Sequence, residues 1–319
     1  MISLPVIDIS PFLRNTKDWD AEQAKTADAI ADACKKFGFF YLIGHGIPSQ
    51  ERDVVLSLAR DFFSQPEEHK TLLAVKAAGV EDGDGARGYQ RTGENITQGR
   101  PDWHEGIDFY RPVNKDSLPP YGLLFGVNKW PSEYFQQRYL QYVNRLLQLG
   151  RATIQAMALA LGEDRHVFDQ LVDQSFWVLR AIGYPPLSDH GDREGISCGE
   201  HTDYGCLTFL LADDTKGALQ VLHPNGQWIV ADPLPGAYVV NIGDAFNTWS
   251  NGEWRATSHR VIHNADNYRV SVPFFFEPNF DARISPLPSA SGRSNEKMES
   301  FEYGQHLLQK ISGNFSLSS

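Results

Sequence analysis

The chain has 319 residues, of which 41% are hydrophobic and 12% aromatic, and this length and composition are ordinary for a globular enzyme. Its 29 Lys and Arg against 40 Asp and Glu give a formal net charge of -11, which argues against nucleic acids and anionic membrane surfaces as partners. No apolar run approaches the roughly 18 residues of a membrane-spanning helix, so we expect no membrane partner.

The first part of the chain alternates between predicted strands and helices. Residues 5–9 form a β-branched run that predicts a strand, and residues 39–43 predict a second one. Between them, small and apolar side chains recur at helical spacing over residues 20–37, and Gly38 is expected to end that helix. A further helix is expected over residues 49–63.

A long connection and a long helix follow. Residues 79–102 are rich in glycine and polar side chains and show little apolar periodicity, which predicts a binding loop or lid. Residues 132–161 carry apolar side chains at helical spacing, and the length of this segment predicts a helical spine packed against a sheet.

Short β-branched and aromatic runs, separated by Gly, Pro, Asn and Asp, dominate residues 175–280. Many short strands with turn signals between them are typical of an antiparallel sandwich or barrel. The runs are WVLRAIGY, CLTFLLAD, LQVL, WIVADP, YVVNIGD, HRVIHN and RVSVPFFFE. The sequence therefore predicts a mainly β protein with flanking helices.

His201 and Asp203 are the first candidates for chemistry, because residues two apart on a strand face the same side. Two histidines and one carboxylate are the ligand set of mononuclear non-haem iron(II) sites. A single His-x-Asp is a weak signal, and His190 and Asp192 form a second instance within a segment that has the composition of an exposed loop. We prefer the first pair because it leads directly into the apolar run CLTFLL.

A third metal ligand must come from a distant strand, and His259 lies 56 positions after Asp203. His263 competes for this role because it would share a strand face with His259. However, Asn264 and Asp266 beside it are typical of a strand end and its turn. We therefore predict His259 as the third ligand, which leaves three octahedral positions for a co-substrate and dioxygen.

Arg269 and Ser271 lie two apart on the run RVSVPFFFE and are expected to share a strand face. An arginine directed into a barrel is costly unless it has an anionic partner. A dicarboxylate that reaches from the metal would be such a partner, held by the guanidinium and by a hydrogen bond from the serine. An internal salt bridge is the alternative explanation for Arg269.

Several segments, in this order, resemble the isopenicillin N synthase-like group of Fe(II)/2-oxoglutarate-dependent dioxygenases. They are LPVIDIS, ACKKFGFFYLIGHGI, LRAIGYPP, EHTDYGCLTFLLAD, VVNIGDAFNTWSNGEWRATSHRV and RVSVPFFFEPNFD, and together they span most of the chain. The resemblance implies a distorted double-stranded β-helix (a jelly-roll) over residues 175–285. It further implies an N-terminal helix and strand region over residues 1–115, a helical spine over 116–174, and a C-terminal helix and tail over 286–319.

The resemblance implies that Fe(II) is bound by His201, Asp203 and His259. It also implies the reaction: 2-oxoglutarate and dioxygen give succinate and carbon dioxide, coupled to hydroxylation, desaturation or cyclisation of a small molecule. Ascorbate is an optional reductant in such reactions.

The resemblance further assigns the distal carboxylate of 2-oxoglutarate to Arg269 and Ser271, and it implies that the hydroxyl of Tyr184 can reach the co-substrate. The chain departs from many plant members at Ile182, where those members carry an asparagine. A co-substrate contact from that position is therefore not expected.

The sequence constrains the substrate less than the reaction. Phe275 has the strand parity of the co-substrate residues and is a candidate for lining the pocket. Tyr89, Glu94 and Trp103 are candidates because their loop could cover the site, and Arg180 is a candidate partner for a substrate carboxylate.

Two other functions stay open. An isopenicillin N synthase-type oxidase would share the fold without using 2-oxoglutarate, and it could use Arg269 and Ser271 to bind the carboxylate of its substrate. A non-catalytic jelly-roll that only binds a ligand is the third hypothesis, against which the complete set of metal ligands argues.

The cysteines and the N-terminus bear on the compartment. Cys34, Cys198 and Cys206 form no CxxC pair, which is typical of reduced thiols. The segment MISLPVIDIS lacks the basic and apolar regions of a signal peptide. We therefore expect a cytoplasmic protein, and a monomer.

Overall fold

Two β-sheets form the centre of the structure, a computed structural model that describes residues 2–14, 20–75, 85–113, 121, 124–190, 196–290 and 298–314. The strands in these segments are β1 (Val6–Asp8), β2 (Phe39–Ile43), β3 (Gly88–Gln90), β4 (Ile96–Thr97), β5 (Arg100–Pro101), β6 (Glu105–Tyr110), β7 (Val178–Tyr184), β8 (Ile196–His201), β9 (Leu207–Ala212), β10 (Leu219–Leu222), β11 (Trp228–Val230), β12 (Tyr238–Ile242), β13 (His259–Ile262), β14 (Arg269–Phe276), β15 (Arg283–Ile284) and β16 (Phe301–Glu302). The helices are α1 (Ala21–Lys36), α2 (Ser49–Phe63), α3 (Glu67–Thr71), α4 (Glu133–Ala160), α5 (Asp169–Val172), α6 (Asp244–Trp249) and α7 (Tyr303–Asn314).

The larger sheet has the strand order β1-β2-β12-β9-β14-β7-β6-β3, and the smaller sheet has the order β11-β10-β13-β8. Neighbouring strands run antiparallel except for β1 and β2. The sheets pack through one apolar cluster, to which the larger sheet contributes Ile182, Tyr184 and Val239 and the smaller sheet Leu219, Val221 and Val261. The described strands thus form two facing sheets, and they do not close into a barrel.

All seven strand runs predicted between residues 175 and 280 are confirmed, as β7 and β9 to β14. The larger sheet also takes in β1, β2, β3 and β6 from the first third of the chain. These additions explain how a sheet of eight strands arises from a core that supplies only four of them.

The N-terminal helix begins and ends where its sequence predicts. Asp20 accepts a hydrogen bond from the backbone N–H of Gln23, whose side chain in turn accepts from the backbone of Asp20, and this capping box fixes the first turn. Gly38 follows the helix at φ +65, and a Cβ at that position would lie 2.3 Å from the carbonyl oxygen of Arg255. Only glycine therefore allows the chain to turn directly into β2.

The helix predicted over residues 132–161 is confirmed as α4, which Ser132 caps by accepting a hydrogen bond from the backbone N–H of Phe135. It packs against α1, α2 and β14, and so supports the larger sheet. In the described part of the chain, no helix combines the length and apolarity that crossing a membrane would require.

The segment at 79–102 differs from the expected long loop. Residues 79–84 lie outside the described residues, and the remainder contains β3, β4 and β5. β3 pairs with β6 at the edge of the larger sheet, and β4 pairs with β5 as a short hairpin. Polar composition hid these strands because their side chains do not alternate between apolar and polar.

Candidate active site

The three predicted metal ligands converge at one end of the smaller sheet. His201 ends β8 and His259 begins β13, and the two residues are direct partners across the antiparallel pair. Asp203 lies in the loop after β8, which corrects the prediction that it shares a strand with His201. The Nε2 atoms of His201 and His259 lie 3.8 and 3.7 Å from Oδ1 of Asp203, within reach of one ion.

Hydrogen bonds fix the orientation of all three side chains. Nδ1 of His201 donates to the carbonyl oxygen of Gly199 at 2.8 Å, and Nδ1 of His259 lies 3.2 Å from that of Thr257. A carbonyl can only accept, so each Nδ1 carries the ring proton and each Nε2 keeps a free lone pair for a metal.

The carboxylate is held in a matching way. Oδ2 of Asp203 accepts hydrogen bonds from the hydroxyl of Thr208 and from Nδ2 of Asn241, the latter at 2.6 Å. Oδ1 is therefore the oxygen that faces the two imidazoles. Burial disfavours the ionised carboxyl, but His259, His201 and these two donors outweigh that effect and lower its pKa. Burial, followed by the nearby His201, lowers the pKa of His259 to about 4, which favours its neutral ring. Burial alone would lower the pKa of His201 too, but Cys198 and Asp203 outweigh it and raise that pKa to about 10, so a metal that binds there has to displace the Nε2 proton.

Arg269, Ser271 and Tyr184 form a second cluster, deep between the sheets. Arg269 is only 2% exposed and pairs with Tyr184 across β14 and β7, with its guanidinium 4.6 Å from the centre of the tyrosine ring. The hydroxyl of Ser271 lies 3.4 Å from that of Tyr184. Among the described residues, Nε and Nη1 of Arg269 have no hydrogen-bond partner, so the guanidinium is suited to an anion from outside the chain.

Ile182 lies opposite Ser271 on the paired strands. It belongs to the apolar cluster between the sheets. The absence of an asparagine at this position therefore leaves an apolar wall beside the serine.

Two cavities open near these clusters. One, of about 380 Å³, is lined by His201 and Asp203. The other, of about 360 Å³, is lined by Arg269 together with Leu210 and Val239. Among the described residues, the lining of the first cavity does not include Arg269 and that of the second includes none of the three metal ligands, so the expectation that all of them face one cavity stays a prediction.

The cavity beside the metal ligands is the candidate substrate cavity. Its described lining comes from the β4 region, from β6 to β8, from the end of β14 and from α7. Besides Asp203 it carries four carboxylates against two basic side chains; the carboxylates are Asp102, Asp108, Glu200 and Glu277, and the basic residues are Arg180 and Lys310. This excess of acidic over basic groups favours a cationic ligand, because a cation stabilises the ionised form of the acids around it.

The structure places the five predicted substrate residues in two groups. Phe275 and Arg180 line the substrate cavity. Tyr89 lies elsewhere, because its hydroxyl donates to Oε2 of Glu105 at 2.6 Å in the interior. Glu94 is exposed and accepts from the backbone N–H of Arg91, and Trp103 is half-buried outside the described lining.

Arg180 is more constrained than its sequence suggested. Its Nη2 donates to Oδ1 of Asn95 at 2.6 Å and to Oε1 of Gln90 at 3.1 Å, and its Nε lies 3.3 Å from Oδ1 of Asp108. Asn95 belongs to the segment at 79–102. That segment therefore borders the cavity as expected, but not through Tyr89, Glu94 or Trp103.

Sequence reasoning missed Glu277, Thr208 and Asn241. Each is a polar residue inside or directly after a buried strand, and this position was an available signal. Glu277 also has the strand parity of Arg269 and Phe275, so the same parity that points to Phe275 points to Glu277 two residues later.

A second group of potential ligands, Asp102, His104 and Cys198, lies beside the same cavity. Its side chains already contact neighbouring groups: the two oxygens of Asp102 accept from Gly199 and Thr97, and Nδ1 of His104 bonds to the carbonyl oxygen of Ser197. Nε2 of His104 lies 3.5 Å from Nη2 of Arg180, and the sulfur of Cys198 lies 3.8 Å from Nδ1 of His201. This group therefore serves the local structure.

Family models match two parts of the chain. Residues 170–278 match the model of the 2OG-Fe(II) oxygenase superfamily. Residues 4–133 match the N-terminal model described as non-haem dioxygenase in morphine synthesis.

Relatives match over nearly the whole chain. The homoarginine-6-hydroxylase 2-ODD-C23 of Glycine max is 41% identical, with 98% of this chain and 97% of the relative covered. The corresponding 2-ODD-C23.1 protein of Arabidopsis thaliana is also 41% identical, with 99% and 98% covered. Among solved structures, a Neurospora crassa protein in complex with alpha-KG and thymine superposes with a TM-score of 0.81 at 28% identity, with 97% and 96% covered.

Proposed function

Because the chain belongs to the 2OG-Fe(II) oxygenase superfamily, we propose that it hydroxylates a small guanidino amino acid of the homoarginine type. The reaction class follows from the family: the protein is a 2-oxoglutarate-dependent oxygenase with Fe(II) as its metal. Because the protein uses 2-oxoglutarate, it is not an oxidase of the isopenicillin N synthase type. Because it is an enzyme, it is not a jelly-roll protein that only binds a ligand.

His201, Asp203 and His259 are the proposed iron ligands. Two imidazole nitrogens and one carboxylate oxygen, oriented by the carbonyl groups of Gly199 and Thr257, suit Fe(II) and leave positions open for the co-substrate and dioxygen. When bound, Fe(II) supplies the activation of dioxygen that converts 2-oxoglutarate to succinate and carbon dioxide and transfers one oxygen atom to the substrate.

Arg269, Ser271 and Tyr184 are the proposed partners of the distal carboxylate of 2-oxoglutarate. The support is the buried guanidinium with two unpartnered nitrogens, beside two hydroxyl groups. These residues bind and orient the co-substrate, and the apolar surroundings exclude water from it.

The observation that carries the substrate proposal is the acidic lining of the cavity beside the iron ligands, taken together with the names of the relatives. A guanidino amino acid offers a cation to the carboxylates. Its own carboxylate can lie near Arg180, and Phe275 supplies apolar contact for the methylene chain. Because these relatives are named hydroxylases, hydroxylation is proposed over desaturation and cyclisation.

The test is succinate release by the Fe(II)-loaded protein with 2-oxoglutarate, measured with homoarginine and with thymine. We expect homoarginine to raise succinate release well above the rate without substrate, to gain one oxygen atom by mass spectrometry, and thymine to have no effect. Basal succinate that homoarginine does not stimulate would contradict the substrate. No succinate under any condition would contradict the reaction class.

Three further properties stay predictions. They are the domain limits after residues 115, 174 and 285, a monomeric state, and a cytoplasmic location. Ascorbate is expected to sustain turnover by keeping the iron reduced.

A further inference from the structure

Glu277 is a buried acid in the substrate cavity with no positive partner. It follows β14, is 5% exposed and lines the cavity. No Lys, Arg or His among the described residues lies within ion-pair distance of its carboxyl group, and Oε2 accepts no hydrogen bond from them. The backbone N–H of Cys206 and the hydroxyl of Tyr303 lie beside the carboxyl group, and both are neutral.

The other acids of the cavity are already satisfied. Asp108 faces the guanidinium of Arg180 at 3.3 Å, both oxygens of Asp102 accept hydrogen bonds, and Glu200 is exposed to solvent. The remaining cation, Lys310, pairs with Asp244 at 3.4 Å. Among the buried carboxyl groups of the described lining, Glu277 is thus the one that has neither a nearby cation nor hydrogen bonds to both of its oxygens.

An uncompensated buried carboxylate is unfavourable. Burial, reinforced by the negative charge of Asp203, raises the pKa of Glu277 to about 8. A cation that enters the cavity would remove this penalty, because it would compensate the ionised carboxylate with a charge-assisted hydrogen bond.

Glu277 also lies close to the iron ligands. Its Oε2 sits over Gly205, where an added Cβ would be only 1.1 Å away, and Gly205 is two residues after Asp203. In homoarginine the carbon at position 6 is bonded to the guanidino nitrogen. Hydroxylation at that carbon therefore requires the guanidinium to be held near the iron, and Glu277 lies in that part of the cavity.

We propose that Glu277 anchors the guanidinium of the substrate and thereby selects cationic substrates and presents the adjacent carbon to the iron. The proposal rests on the proposed function and assigns the specificity of that site to one residue. Glu277 acts as a binding and positioning residue.

The test compares homoarginine with homocitrulline, its neutral analogue in which a carbonyl oxygen replaces one terminal nitrogen. Wild-type enzyme is expected to prefer homoarginine. In Glu277→Gln the KM for homoarginine should rise about 10- to 100-fold, the loss expected for a charge-assisted hydrogen bond. The KM for homocitrulline should change little, because glutamine still offers it a hydrogen bond.

Glu200→Gln is the matched control, since it removes one negative charge from the same cavity at a solvent-exposed position. It should leave the ratio of the two KM values unchanged. A Glu277→Gln variant with an unchanged ratio, or with equal rises in both KM values, overturns the anchor. Wild-type enzyme that homoarginine does not stimulate overturns the proposed function, and the anchor with it.

Glu277→Asp covers the case in which the glutamine variant does not fold, as judged by its thermal shift on addition of Fe(II). Aspartate keeps the negative charge, but its side chain is shorter by one methylene group, so the carboxylate lies farther from the substrate. We expect a higher KM for homoarginine with a retained preference over homocitrulline. An unchanged KM would overturn the anchor.

Discussion

The two ends of the site are built differently. At the co-substrate end, Arg269, Ser271 and Tyr184 are buried partners on two adjacent strands of the larger sheet. At the substrate end, parts of β6, β7, β8 and β14 contribute as well, but the lining is completed by the β4 region, by loop residues and by α7, which are distant in sequence. The first arrangement places groups by strand register, and the second depends on how separate segments pack. A reaction shared by a family can therefore persist while the substrate changes.

The largest effect should come from the proposed iron ligands, on which both substrates depend for reaction. His259→Ala removes one of three ligands and is expected to abolish both Fe(II) binding and succinate formation, measured by metal titration and by a coupled assay. His69→Ala, an exposed histidine on α3, is the control and should change neither. Iron binding that survives in His259→Ala would mean that another residue is the third ligand.

The co-substrate end can be tested separately. In Arg269→Ala the KM for 2-oxoglutarate is expected to rise roughly 10- to 100-fold, because a buried charge-assisted contact is lost. The preference for homoarginine over homocitrulline should persist, since Arg269 does not line the substrate cavity. Arg283→Ala, at an exposed arginine on β15, is the control. An unchanged KM in Arg269→Ala would mean that the guanidinium has a purely structural role.

The sequence predicts the strands that carry an apolar pattern better than the segments whose position depends on tertiary packing. Strands such as β9 and β14 are marked by apolar, β-branched residues, and parity then places Arg269 and Ser271 on one face. The short strand β3, with its polar composition, gives no such signal. Whether Tyr89 contacts substrate or Glu105 is decided by tertiary packing of β3 on β6, which no local pattern contains.

The residues around the iron ligands show the same limit. The spacing of His201 and Asp203 predicts that they lie together, but the loop position of Asp203 and its hydrogen bonds from Thr208 and Asn241 depend on pairing between β9 and β12. Strand parity with Arg269 and Phe275 could have predicted from the sequence that Glu277 faces the same side of β14. That no cationic side chain among the described residues lies beside its carboxyl group can be seen only in the folded cavity.

The smallest expected effect is on stability, and it concerns the substrate end. With a folded-state pKa of about 8 against an ordinary value of 4.5, the Glu277 carboxyl binds its proton more tightly in the folded protein than in the unfolded chain. Its contribution to stability is therefore greatest at low pH and is lost as the pH rises through 8. In the metal-free protein, the stability of Glu277→Gln relative to wild type should increase by about 1–3 kcal/mol between pH 5.5 and pH 8.

Urea unfolding of both proteins at the two pH values measures the difference in their free energies of unfolding. Groups that titrate in the same way in both proteins do not contribute to this difference. Glu200→Gln should show no such trend, because its carboxyl is exposed. A flat difference for Glu277→Gln would mean that the carboxyl is already compensated in the free protein. A rising difference, together with a raised KM for homoarginine, would mean that the substrate end gives up stability at high pH for a carboxyl group that ionises favourably only beside a cation.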